Sequence, residues 1–91
     1  MAQEQRIVYF SGTVQGVGFR YTACRIAGDC AVTGTVRNLS DGRVECVVEG
    51  EADQIDAFLE SLRRRMGGYV RGETQQTAPC TGRYARFTVS F

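Results

Sequence analysis

Apolar and polar positions along the chain follow two periods. Arg6 to Gly12, "RIVYFSG", is dense in β-branched and aromatic residues and stops at glycine, which predicts a strand. After a glycine-rich interval, Phe19, Ala23, Ile26, Ala27 and Cys30 fall at offsets of 0, 4, 7, 8 and 11, one face of a helix. Gly34 to Gly50 holds two strand-like runs around "LSDG", whose Asp41-Gly42 pair predicts a hairpin turn. In the second run Val44, Cys46 and Val48 share a face, with Glu45 and Glu49 on the other. In Ala52 to Met66, Ile55, Phe58, Leu59, Leu62 and Met66 return to helical spacing. Asp53 and Asp56 near its start and Arg63 to Arg65 near its end complement the helix dipole, and Gly67-Gly68 follows as a stop. "YVRGETQ" reads as a short extended piece and "TAPCTG" as loop. The closing "RYARFTVSF" alternates at Ala85, Phe87, Val89 and Phe91, the period of a half-buried strand.

The order is β-α-β-β-α-β with an extra short strand before the last. It predicts an α+β, ferredoxin-like sandwich, an antiparallel sheet with two helices on one face. Length fits one domain over residues 1–91. Hydrophobic content of 43% suits a globular chain and excludes disorder. No apolar run approaches membrane-spanning length, and "MAQEQR" lacks a charged-then-apolar signal pattern, so a soluble, cytoplasmic monomer is expected. A net charge of +1 argues against a nucleic acid partner, and nothing points to a membrane partner.

The cysteines at 24, 30, 46 and 80 show no C-x-x-C spacing, and the chain has no histidine. Free thiols are therefore favoured over a zinc site or disulfides, and neither a metal nor a cofactor is expected.

The chemistry concentrates in Gly12 to Arg20, "GTVQGVGFR", between the first strand and the first helix. A helix N-terminus presents unpaired N–H groups and partial positive charge. Glycines let the backbone curl so that several N–H groups meet one anion, and Arg20 adds a fork of donors. Gln15, Gly16, Val17, Gly18, Phe19 and Arg20 are the candidate phosphate loop. A Walker loop is excluded because Gly12 and Gly16 stand too close and the chain has no lysine. A dinucleotide fingerprint would need glycine where Tyr21 stands. Cys80 and Arg86 have the spacing of a cysteine-dependent phosphatase, but a strand-like segment follows where that chemistry needs a helix. Tyr9, Phe10 and Tyr21 read as core or sheet-face packing.

"GTVQGVGFR" together with "GTVRNLSDGRVECVVEG" resembles the two signatures of the acylphosphatases. The first falls on Gly12 to Arg20, the second on Gly34, Thr35, Val36, Arg37, Asn38, Gly42, Val44 and Gly50. The resemblance implies metal-free hydrolysis of acyl phosphates, with Arg20 binding phosphate and Asn38 orienting the attacking water. That chemistry needs no histidine. The leaving carboxylate has a conjugate acid of pKa about 4 to 5 and departs without a general acid. The alternatives are a phosphate- or carbamoyl phosphate-binding module without catalysis, or a ferredoxin-like RNA-binding or regulatory domain. "RFTVSF" lacks the glycine spacing of an RNA-binding strand.

Overall fold

The computed structural model describes residues 2–91; Met1, at the head of "MAQEQR", lies outside them. The elements are β1 (Gln3–Gly12), α1 (Phe19–Gly28), β2 (Val32–Asn38), β3 (Val44–Glu51), α2 (Ala52–Met66), β4 (Val70–Pro79) and β5 (Phe87–Val89), with a single 3₁₀ turn at Gly67–Tyr69. The strands form one sheet in the order β4-β1-β3-β2-β5.

The alternation read from the sequence sets which face is buried. Val8 and Phe10 of β1, Val36 of β2, and Val44, Cys46 and Val48 of β3 are fully enclosed. The helices meet that face through Phe19, Ala23, Ile26 and Ala27 of α1 and Ile55, Phe58, Leu59, Leu62 and Met66 of α2. Each helix uses the stripe that its spacing predicts. Helix α1 ends at Gly28, two residues before Cys30, which packs half-buried beside the core. All four cysteines are free, and only Cys46 is buried.

Two expectations need correction. First, the strand assignments exchange roles. The segment from Val70 is no short accessory: it runs on through Thr77, Ala78 and Pro79, which read as loop, and pairs with β1 from Glu4↔Pro79 to Gly12↔Val70. It is the fourth strand of the βαββαβ core. As an edge strand it buries little side-chain surface, so "TQQTA" carries no apolar alternation that could announce it. The accessory strand is the last one, and only Phe87–Val89 of the predicted stretch pairs. Second, the sheet is mixed, because β5 joins β2 in parallel while the other pairs are antiparallel. Glu49, on the face of β3 opposite Val44, Cys46 and Val48, is 2% exposed. Its carboxylate accepts from Gln5 Nε2 at 2.7 Å, Thr81 N at 2.9 Å, Thr81 Oγ1 at 2.7 Å and Gly82 N at 3.0 Å, and from the Cys80 thiol at 3.3 Å. These donors replace water around the charge. Burial alone pushes this carboxyl up, but the bonds from Thr81, Gln5 and Cys80 outweigh it and hold Glu49 at about 2.

The pairing brings three separated stretches to one end of the sheet. Phe10 of β1 and Asn38 of β2 both pair with Val44, on opposite sides of β3. The loop after β1 therefore emerges beside the end of β2. Val89 pairs with Val36, and Ser90 N donates to Val36 O at 2.9 Å, so the chain beyond β5 reaches the same end. The Phe87 ring, 5.2 Å from that of Phe58, ties β5 to α2.

Candidate active site

The β1–α1 loop is fixed from three sides. Thr13 N donates to Tyr69 O at 2.9 Å, anchoring its start. Val14 and Phe19 are buried, and the Phe19 ring lies 5.0 Å from that of Phe10. Gln15 Nε2 donates to Leu39 O at 2.8 Å and to Arg43 O at 3.0 Å. Gln15 thereby fastens the loop to the β2–β3 turn, which follows Asn38 directly. That turn closes as its Asp-Gly pair predicts: Leu39 N donates to Arg43 O at 2.8 Å, and Asp41 Oδ1 accepts from Arg43 N at 3.1 Å.

Between these anchors Gly16 and Gly18 adopt φ of 78° and 80°, the left-handed region that costs glycine least. Gly18 occupies the N-cap position of α1 without any side-chain cap. Among the described residues, the backbone N–H groups of Gln15 to Arg20 have no hydrogen-bond partner within the protein. They form the open, positively polarised end of a ten-residue helix.

Gly16, Gly18, Phe19, Arg20 and Asn38 border one cleft of about 390 Å³, with Val14, Tyr21, Cys24, Val89 and Phe91 completing its wall. Arg20 forms no ion pair with a carboxylate of the described residues; its guanidinium carbon lies 5.8 Å from the centre of the Phe91 ring. Asn38 Oδ1 is buried and has no hydrogen-bond partner among the described residues. A buried acceptor left in that condition is costly, and Asn38 lines the same cleft as Arg20.

Five of the seven residues singled out in the sequence thus meet at the cleft. The other two do not line it. The Gln15 side chain turns to the hairpin, and Val17 packs half-buried on the core, so each can offer an anion only its backbone N–H. Tyr21 corrects a further expectation: it is 67% exposed on the cleft rim, not packed in the core or on the sheet. The signal was in the sequence. Tyr21 stands two residues after Phe19, off the apolar stripe of α1, and an aromatic there has no core to enter. Nothing in the sequence marked Val89 or Phe91 for the cleft, because the parallel β2–β5 pairing that carries them there joins residues far apart along the chain.

Cys24 lies one turn beyond Arg20, and burial raises its thiol pKa, away from reactivity near neutral pH. The decoy pair resolves as well, since Cys80 donates to Glu49 instead of opening a helix.

Comparison with known proteins gives a consistent result. The family model described as Acylphosphatase matches residues 6–89. An acylphosphatase of Methylococcus capsulatus is 43% identical over 83 residues, which cover 90% of each chain. One of Bordetella parapertussis is 58% identical over 57 residues, so the aligned part spans 63% of this chain and 61% of that relative's length. Among solved structures, the acylphosphatase from Bacillus subtilis superposes with a TM-score of 0.86 at 28% identity, over 97% of this chain and 99% of its own. With a family match across nearly its whole length and a solved relative of the same architecture, the chain belongs to the acylphosphatase family.

Proposed function

We propose that the protein hydrolyses acyl phosphates, cleaving the carboxyl–phosphate bond to give a carboxylate and inorganic phosphate. The N–H groups of Gln15 to Arg20 and the Arg20 guanidinium bind the phosphoryl oxygens. Asn38 accepts a hydrogen bond from the attacking water through Oδ1 and holds it in line. Water forms the new P–O bond, the carboxylate leaves with its electron pair, and the proton passes to solvent. The leaving group needs no general acid, since its conjugate acid has a pKa of about 4 to 5. Positioning and charge stabilisation supply the rate, and no step requires a metal.

The observation that carries this reading is the convergence of an arginine without a carboxylate partner and a buried asparagine oxygen without any partner on one cleft. Four free cysteines suit a reducing compartment, and a site built within one chain suits a cytoplasmic monomer. No helix among the described residues is long and apolar enough to cross a membrane.

The test is hydrolysis of benzoyl phosphate by purified protein in excess EDTA. Turnover unaffected by the chelator is expected. Failure to turn over any small acyl phosphate contradicts the reading, and loss in EDTA restored by a divalent ion contradicts its metal-free form.

A further inference from the structure

The cleft that holds the phosphate cradle is also bordered by apolar side chains, two of them exposed rings, and the Arg20 guanidinium carbon lies 5.8 Å from the centre of one of these, Phe91. Large exposed hydrophobic side chains number three among the described residues, Tyr21, Tyr69 and Phe91, and two of these border this cleft. Tyr21 is 67% exposed and Phe91 is wholly exposed. The half-buried Cys24 and Val89, both packed against the core, line the same cleft. Apolar surface gathered beside a polar anchor is the usual make-up of a small-molecule site, and about 390 Å³ falls at the small end of the roughly 300–1,000 Å³ range of such sites.

Charge restricts what fits there. Among the described residues, Arg20 is the only charged side chain lining the cleft. Arg25 stacks on Tyr21, 5.9 Å from the ring centre, and does not line it. An acyl group bearing its own carboxylate or second phosphate would meet no side-chain counter-charge beyond the arginine that the phosphoryl group already engages, and one bearing an ammonium would meet only that arginine's like charge. A flat apolar group would instead find Tyr21, Cys24, Val89 and Phe91 along the same cleft.

We propose that Tyr21, Cys24, Val89 and Phe91 form an acyl-group subsite, which makes the protein selective for uncharged aromatic acyl phosphates. This rests on the hydrolase reading above and adds the identity of the substrate's other half. Tyr21 and Phe91 are its specificity-determining residues, through offset or edge-to-face contact with the acyl ring.

The experiment compares kcat/KM for benzoyl phosphate and acetyl phosphate in the wild type, Tyr21→Ala, Phe91→Ala and Tyr21→Phe. Both positions are exposed, so truncation leaves the core intact. The wild type is expected to favour benzoyl phosphate by about tenfold or more, the scale at which apolar pockets discriminate. Each alanine variant is expected to lower the benzoyl-to-acetyl ratio by about 2- to 12-fold, the worth of one aromatic pair. Tyr21→Phe is expected to keep the wild-type ratio. The intrinsic difference between the two leaving carboxylates cancels when ratios are compared between variants. A wild-type ratio near one overturns the subsite. So does an unmoved ratio in both alanine variants; if both rates fall together in Phe91→Ala, Phe91 merely positions Arg20. Turnover of neither substrate by the wild type overturns the hydrolase reading and the subsite together.

Discussion

Two corners of this molecule gather hydrogen-bond donors around a negative charge, and they differ in whose charge it is. At Glu49, the N–H groups of Thr81 and Gly82, the Thr81 hydroxyl, the Gln5 amide and the Cys80 thiol close on the chain's own carboxylate. At the β1–α1 loop, the N–H groups of Gln15 to Arg20 and the Arg20 guanidinium border a cleft and have no protein anion to close on. The donor chemistry is alike; the outcome is opposite. A corner that supplies its own anion becomes a structural clasp, here tying the segment before β5 to β3. A corner that supplies none is open to a ligand. Backbone shape decides which is built. Gly16 and Gly18 keep the loop bare of side chains where the donors meet, whereas the clasp is filled from β3 by the Glu49 carboxylate.

Removing the charge from each corner separates the two roles. The largest effect is expected at the open corner. Arg20→Ala is expected to lower turnover of acyl phosphate by at least about 10²–10³-fold, the cost of losing a transition-state donor, while the fold persists. Arg20→Lys restores little, because a point charge lacks the planar fork. Steady-state kinetics and circular dichroism together check both statements, and wild-type turnover in Arg20→Ala would make the open corner as structural as the closed one. Asn38→Ala comes next, raising the barrier by about 2–4 kcal/mol, the scale of losing one positioned hydrogen-bonding group in the transition state.

The closed corner answers in stability. Glu49→Gln is expected to cost about 1.5–3 kcal/mol of unfolding free energy at pH 7, the worth of a hydrogen bond to a charged group. Urea denaturation measures it. The sign of its pH dependence follows from the clasp. The folded-state pKa of about 2 lies below the ordinary 4.5, so the contribution is complete above 4.5 and is lost as pH falls toward 2. Glu49→Gln lacks that acid slope; an identical slope in the variant would show that the clasp does not hold the charge. The smallest effect expected is none at all: turnover is flat between roughly pH 5.5 and 8.5. The chain has no histidine, and the shifted groups move away from this window, Glu49 downward and Cys24 upward. A limb near pH 7 would reveal a catalytic base that this account omits.

The open corner was legible in the sequence to a degree that the closed one was not. Glycines, an arginine and a helix face lie within one short stretch, so the cradle is local and its geometry follows from neighbouring residues. Asn38 stood out only through the resemblance of its segment to the family's second signature, since an asparagine before a hairpin turn is otherwise an ordinary turn residue. Glu49 was legible only as a residue on the face of β3 opposite Val44, Cys46 and Val48. Its burial depends on Thr81 and Gly82, more than thirty residues away and in a stretch with no periodic signal. The same distance concealed the roles of β4 and β5, one an edge strand without alternation, the other paired over three residues only. Tyr21 lay between these cases: its offset from the apolar stripe pointed outward, but not toward the cleft that Phe91 also borders.

The central claim is that the open corner separates holding from aiming, with Arg20 and the loop holding the phosphoryl group and Asn38 aiming the water. Calorimetric titration of inorganic phosphate, at matched ionic strength, into wild type, Arg20→Ala and Asn38→Ala tests it most directly. Saturable binding is predicted for the wild type, near-wild-type affinity for Asn38→Ala and none for Arg20→Ala. Binding retained by Arg20→Ala, or lost equally in both variants, would contradict it.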